Sequence, residues 1–130
     1  MNLAGTTWRL GLYQSASNFA TLTLSTFASL TNEVASVAGS YSSSGRALTG
    51  EVWTSIASAK SYSFDFSDVV FTGSGNAIVN IKAAVVWLSG ASANARHLLG
   101  FASLTSSQFT LASGNTLTIQ IATNGMFTMV

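Results

Sequence analysis

Apolar residues recur with a period of two over most of the chain. In residues 77–88, Ala77, Val79, Ile81, Ala83, Val85 and Trp87 fall on one side, and Asn80 and Lys82 fall on the other, followed there by Ala84, Val86 and Leu88. This spacing predicts one long strand that begins with a wet face and ends covered on both, near the middle of a β-sheet domain. Trp8, Leu10 and Leu12 alternate with Arg9 and Gly11 in a first strand. Over residues 60–66, Tyr62, Phe64 and Phe66 share one face against Ser61, Ser63 and Asp65. That strand is expected to form a hairpin with residues 47–56, where Leu48, Val52, Thr54 and Ile56 share a face. A short strand at residues 69–71 leads into the turn-forming residues 73–76. Residues 98–104 resume an extended pattern. Residues 109–111 and 117–121, separated by Ser113-Gly114-Asn115, read as a second hairpin, and Asn124-Gly125 precedes a last short strand.

Only residues 24–38 hint at a helix. Leu24, Phe27, Ala28, Leu30, Val34 and Ala35 lie near a 3.6-residue spacing, although Thr31-Asn32-Glu33 serves equally as a turn between extended pieces. The whole predicts an all-β, single-domain antiparallel β-sandwich, jelly-roll-like, with eight or nine short strands and at most one short helix. Residues 1–6 read as a flexible arm and residues 7–130 as the domain.

Composition changes this picture in one respect. Charged residues make up 7% of the 130, against about 25% in ordinary domains. The nine are Arg9, Glu33, Arg46, Glu51, Lys60, Asp65, Asp68, Lys82 and Arg96, while Ser (21) and Thr (15) supply 36 residues. A surface wetted by hydroxyls is easily covered by another protein surface, so the composition favours life within an assembly. With no proline and few charges, the sheet edges are poorly guarded unless a neighbouring subunit covers them. A net charge of +1 gives no electrostatic footprint for nucleic acid or an anionic membrane. No run reaches the roughly 18 apolar residues of a membrane helix, and the N-terminus lacks the basic and apolar regions of a signal peptide. Without cysteine, disulfides and thiolate metal sites are excluded.

Candidate chemistry is sparse. His97, the only histidine, would need an orienting carboxylate and a nucleophile to act as a general base; packed or solvated at a strand start, it needs neither. Asp65 and Asp68 suit a calcium site or a glycosidase pair on paper, and turn caps otherwise. The glycine-rich stretches 39–45 and 73–76 lack the lysine and following helix of a phosphate loop, and read as turns. Trp8, Trp53 and Trp87 with Tyr13, Tyr41 and Tyr62 could line a sugar- or peptide-binding surface. Trp8 and Trp87, however, run in phase with core residues. Trp53 shares its face with Thr49 and Glu51, which makes it an interface anchor or part of a two-sided strand. No catalytic residue, cofactor or metal ligand is assigned.

The order Trp-Arg-Leu-Gly-Leu-Tyr at 8–13, Tyr41 followed by Gly-Arg-Ala-Leu-Thr-Gly at 45–50, Phe-Asp-Phe-Ser-Asp-Val-Val-Phe at 64–71, a glycine-rich turn, Ala-Val-Val-Trp-Leu at 84–88, Leu-Leu-Gly-Phe at 98–101 and Phe-Thr-Leu-Ala-Ser-Gly-Asn-Thr-Leu-Thr-Ile at 109–119 resembles small structural proteins of tailed-bacteriophage virions. The resemblance spans most of residues 7–122. It rests on apolar and glycine positions, and departs where Ser44-Gly45 replaces a glycine pair.

What the resemblance implies is a capsid decoration (cement) protein made in the host cytoplasm. Such a protein sits on the outer capsid surface, commonly as a homotrimer, and clamps copies of the major capsid protein. Tail or tail-fibre proteins, and a carbohydrate-binding sandwich on the virion surface, are the alternatives. On this reading residues 1–6 or 39–45 lie across capsid subunits, and the interface candidates are Leu3, Tyr41, Arg46, Trp53, Val86 and Leu88. The charge-poor surface suggests that Val86 and Leu88, rather than Val85 and Trp87, face another copy.

Overall fold

The computed structural model describes residues 7–21, 26–56, 61–89, 96–121 and 127–129. The arm, with Leu3, lies outside the described residues, as does the Asn124-Gly125 turn. Among the described residues eleven strands are seen: β1 (Trp8–Tyr13), β2 (Arg46–Ala47), β3 (Val52–Ile56), β4 (Ser61–Asp65), β5 (Val69–Thr72), β6 (Ile78–Ile81), β7 (Ala83–Leu88), β8 (Leu98–Ser103), β9 (Phe109–Leu111), β10 (Thr116–Ile119) and β11 (Phe127–Met129). All pairings are antiparallel, in sheets ordered β2-β1-β7-β8, β11-β4-β3, β10-β5 and β6-β9. The protein is all-β. Within residues 24–38 the described part contains only one 3-10 turn, Phe27–Ser29. The rest is extended, with Glu33 bridged to Tyr13 and Val37 to Tyr41, and Asn32 supplies the left-handed turn residue (φ 55°).

The expected hairpin of β3 with β4 forms, Val52 opposite Asp65 and Ile56 opposite Ser61. Residues 47–56 are nevertheless not one strand. The chain breaks between β2 and β3 at Gly50 (φ 67°), so Leu48 is buried while Val52 is exposed.

The expected hairpin between residues 109–111 and 117–121 does not form. β9 pairs with β6 and β10 with β5, so residues 69–81 and 109–119 run alongside each other as one bent two-stranded ribbon. The two bends are stitched together. Gly73 N–H donates to Asn115 O (2.9 Å) and Gly114 N–H to Gly73 O (2.6 Å), and a Cβ on Gly73 would stand 2.5 Å from Ala112 O. A turn-like sequence cannot tell a chain reversal from a corner, and here it makes a corner.

The long strand over residues 77–88 is likewise two strands in two sheets. Asn80 adopts φ 62°, and between Ile78 and Ile81 the register against β9 slips by one. That bulge sets two residues of β6 against one of β9 and shifts the alternation. Ile78 and Ile81 therefore both point inward, and Val79 is exposed rather than sharing a buried face with Val85 and Trp87.

β7 then lies between β1 and β8 with both faces covered. Ala84 and Val86 join Trp8, Leu10, Leu12, Ile81 and side chains from the other sheets in the main core. On the opposite face Tyr13, Val85 and Trp87 form a second cluster, packed against by Phe19, Leu30 and Leu98. The face expected to be free, that of Val86 and Leu88, is thus turned into the main core, and it is the Val85 and Trp87 face that Phe19 and Leu30 from the chain's own residues 14–45 cover. Val86 is 2% exposed and Leu88 packs on the main core, so neither is an outward-facing contact.

An aspartate at Val86 would put an unpaired carboxylate into this core, a loss of more than about 4 kcal/mol. We expect Val86→Asp to abolish cooperative thermal unfolding of the isolated chain followed by circular dichroism. Val79→Asp, on the exposed side of the bulge, should stay within about 0.5 kcal/mol of the parent.

Candidate functional site

The free edge of β1 organises the region around residues 33–46. β2 pairs only with its first half, Arg9 opposite Ala47 and Leu10 opposite Arg46. Further along, Val34 N–H donates to Leu12 O (2.8 Å) and Gln14 N–H to Asn32 O (3.0 Å). Between these two pairings the Leu12 N–H has no backbone acceptor in either segment. It donates instead to the Tyr41 hydroxyl (2.9 Å), which donates to Glu33 Oε1 (2.7 Å). Ser44 N–H donates to the same carboxylate oxygen (2.8 Å).

The loop is clamped from the other side by Arg9, whose Nε donates to Ser44 O (2.5 Å) and whose Nη2 donates to Gly45 O (2.7 Å). Gly45 (φ 64°) sits so close to β1 that any Cβ would run into the Leu10 carbonyl. Ser44, at φ 88°, occupies a conformation that suits glycine better, which accounts for a glycine pair as the natural choice here. Gly11 is the third fixed point, since a Cβ there would lie 2.5 Å from Trp87 and 3.3 Å from Glu33 Oε1.

Burial pushes the Glu33 carboxyl above the usual range, against the lowering effect of Tyr41, the Ser44 and Gly45 N–H groups and Arg9. The phenols of Tyr41 and Tyr13 are also raised, first by burial and then by the neighbouring Glu33 charge. The cluster is thus a structural clasp with its acceptors and donors already matched.

Above it opens a cleft of about 540 Å³ lined by residues 36–42, Gly45, Arg46 and Phe71. Arg46 lies 5.7 Å from the Phe71 ring centre and donates to Val70 O, so it is exposed yet held. Ser40 Oγ accepts from Ser74 N–H (2.8 Å) and donates to Asn76 O (2.9 Å), and Ser36 Oγ meets Ser43 Oγ at 2.8 Å. These hydroxyls tie loops together.

The other sequence candidates are dispersed. Asp65 accepts from the adjacent Phe66 N–H (2.8 Å), and Asp68 accepts from Ile121 N–H (2.9 Å), which ties it to a distant segment rather than capping its own turn. His97 is exposed and bridges to Thr26. Trp8 and Trp87 are core, whereas the side chain of Trp53 lies outside the described residues. Tyr41 is 5% exposed and belongs to the core, not to an outward interface, because both polar bonds of its hydroxyl face inward. Among the described residues no three His, Asp or Glu side chains gather as a metal site, and no helix is long and apolar enough to cross a membrane.

No family model, characterised protein or solved structure matches this chain. The residues that do the structural work, Arg9, Gly11 and Glu33, were missed by sequence reasoning. The one available signal was a lone arginine and a lone glutamate in a chain almost without charge.

Tyr41→Phe would strand the Leu12 N–H and one bond to Glu33, costing about 1–3 kcal/mol in denaturant unfolding. Glu33 binds its proton more tightly folded than unfolded. Its contribution is therefore fully present below the ordinary carboxylate value of about 4.3 and is lost as pH rises through the raised folded value. Glu33→Gln keeps the acceptor oxygen and removes the charge. Unfolding curves of the two proteins from about pH 4 to about pH 7 should show the parent losing stability relative to Glu33→Gln.

Proposed function

We propose that this chain is a structural protein of a tailed-bacteriophage virion, a decoration protein that binds the outside of the head and bridges major capsid subunits. The observation that carries the reading is the use made of charge. Of the nine Asp, Glu, Lys and Arg side chains, of which Lys60 lies outside the described residues, six bond to the chain's own backbone: Arg9, Glu33, Arg46, Asp65, Asp68 and Lys82. Lys82, for example, caps the carbonyls of Thr105 and Ser106.

Charges committed to loops do little to hydrate a surface. Most of what remains outside is hydroxyl, small residues and exposed Val52, Val70, Val79 and Phe101. Covering such a surface costs little desolvation, which suits repeated contact with a lattice of identical subunits. Many modest contacts multiplied over copies give firm attachment by avidity. The sequence resemblance points to the same role.

Mass spectrometry and cryo-electron microscopy of purified particles test the proposal. Density for this chain on the outer head, in a fixed ratio to the major capsid protein, is the expected result. Density confined to the tail or fibres, absence from particles, or specific glycan-array binding in place of head binding would overturn it.

A further inference from the structure

β8 is the outer strand of the four-stranded sheet, and among the described residues no strand pairs with its far edge, which only Thr26 touches, through a bridge to His97 just before the strand begins. Leu88 N–H donates to His97 O (2.8 Å) and Leu104 N–H to Lys82 O (2.9 Å), so the even-numbered positions of β7 face β8. The hydrogen-bonded pairs are then Ala84 with Ala102 and Val86 with Gly100, and Val85 with Phe101 and Ala83 with Ser103 are the pairs between them. Phe101 and Ser103 accordingly aim their N–H and C=O groups outward. Phe101 is 44% exposed, and its ring lies 5.3 Å from that of Phe19.

We infer that β8 pairs antiparallel with β8 of a second copy of this chain, about a twofold axis at Phe101. Under such an axis every residue meets itself or its mirror position, so a charged edge would meet like charge. Residues 97–108 contain no Asp, Glu, Lys or Arg. A partner recognised by charge finds nothing to bind on this strand, whereas an identical neutral strand finds no penalty.

In this register Phe101 stands opposite Phe101 of the copy, with both rings on the sheet face that carries Phe19. Ser103 stands opposite Leu99. Two four-stranded sheets become one of eight, and an unguarded edge is removed. The pairing is a property of the chain in solution and stands or falls apart from any particle.

Light scattering of the purified chain from about 1 μM to about 1 mM should show mass rising from monomer to dimer. Phe101→Lys and Ser103→Lys, both at exposed positions, should hold the monomer mass, and cooperative thermal unfolding of Ser103→Lys, which removes no ring contact, shows that the fold is kept. The chain has no cysteine, so Phe101→Cys is a clean probe. Paired Cα atoms about 5.5 Å apart should give a disulfide-linked dimer on oxidation, while exposed Thr118→Cys should not. Monomer throughout, a trimer, or a dimer that survives Phe101→Lys and leaves Phe101→Cys uncrosslinked would overturn the inference.

Discussion

The hydrogen-bond chain from Leu12 N–H through the Tyr41 hydroxyl to the Glu33 carboxylate is the constraint on which the rest of the structure depends. β1 supplies the centre of the main core from one face, and its outer face must be roofed because Tyr13, Val85 and Trp87 lie there. The roof is a long excursion with little regular structure, and an excursion of that kind does not hold itself down. Tyr41 completes the β1 edge between β2 and the Glu33 segment, so one side chain closes the ladder and anchors the roof. Buried polar networks are costly when half made, and here Ser44 N–H and Arg9 complete it.

Charge in this protein therefore works inward. Arg9 and Glu33 fix the roof, Arg46 fastens β2 to the ribbon, and Lys82 holds the chain after β8. A charge-poor sequence usually reads as a solubility problem. Here the few charges act as staples between segments that have no strand pairing of their own, and the outside is left to hydroxyls. That division of labour is what joins the fold to the proposed role, since a surface of this kind loses little hydration when it is covered.

The strands, their alternating faces and the core positions of Trp8 and Trp87 were legible because period-two patterning reports burial directly. What was not legible has one physical origin. A bulge at Asn80 and two stitched corners change which strand pairs with which without changing composition, so residues 77–88 read as one strand and residues 109–121 as a hairpin. The second covered face of β7 was visible as Val85 and Trp87 opposite Val86 and Leu88. Its cover was not, because Phe19, Leu30 and Glu33 lie in a stretch without clear periodicity. Tyr41 read as an outward aromatic for the same reason: nothing in its neighbourhood shows that Leu12, 29 residues away, needs an acceptor.

The central claim concerns a single amide, and native-state hydrogen exchange of Leu12 N–H measures it. The account predicts exchange as slow as in the paired middle of β1, and acceleration at Leu12 in Tyr41→Phe beyond that variant's loss of global stability. Fast exchange at Leu12 in the parent protein, or protection unchanged in Tyr41→Phe once global stability is accounted for, would contradict it.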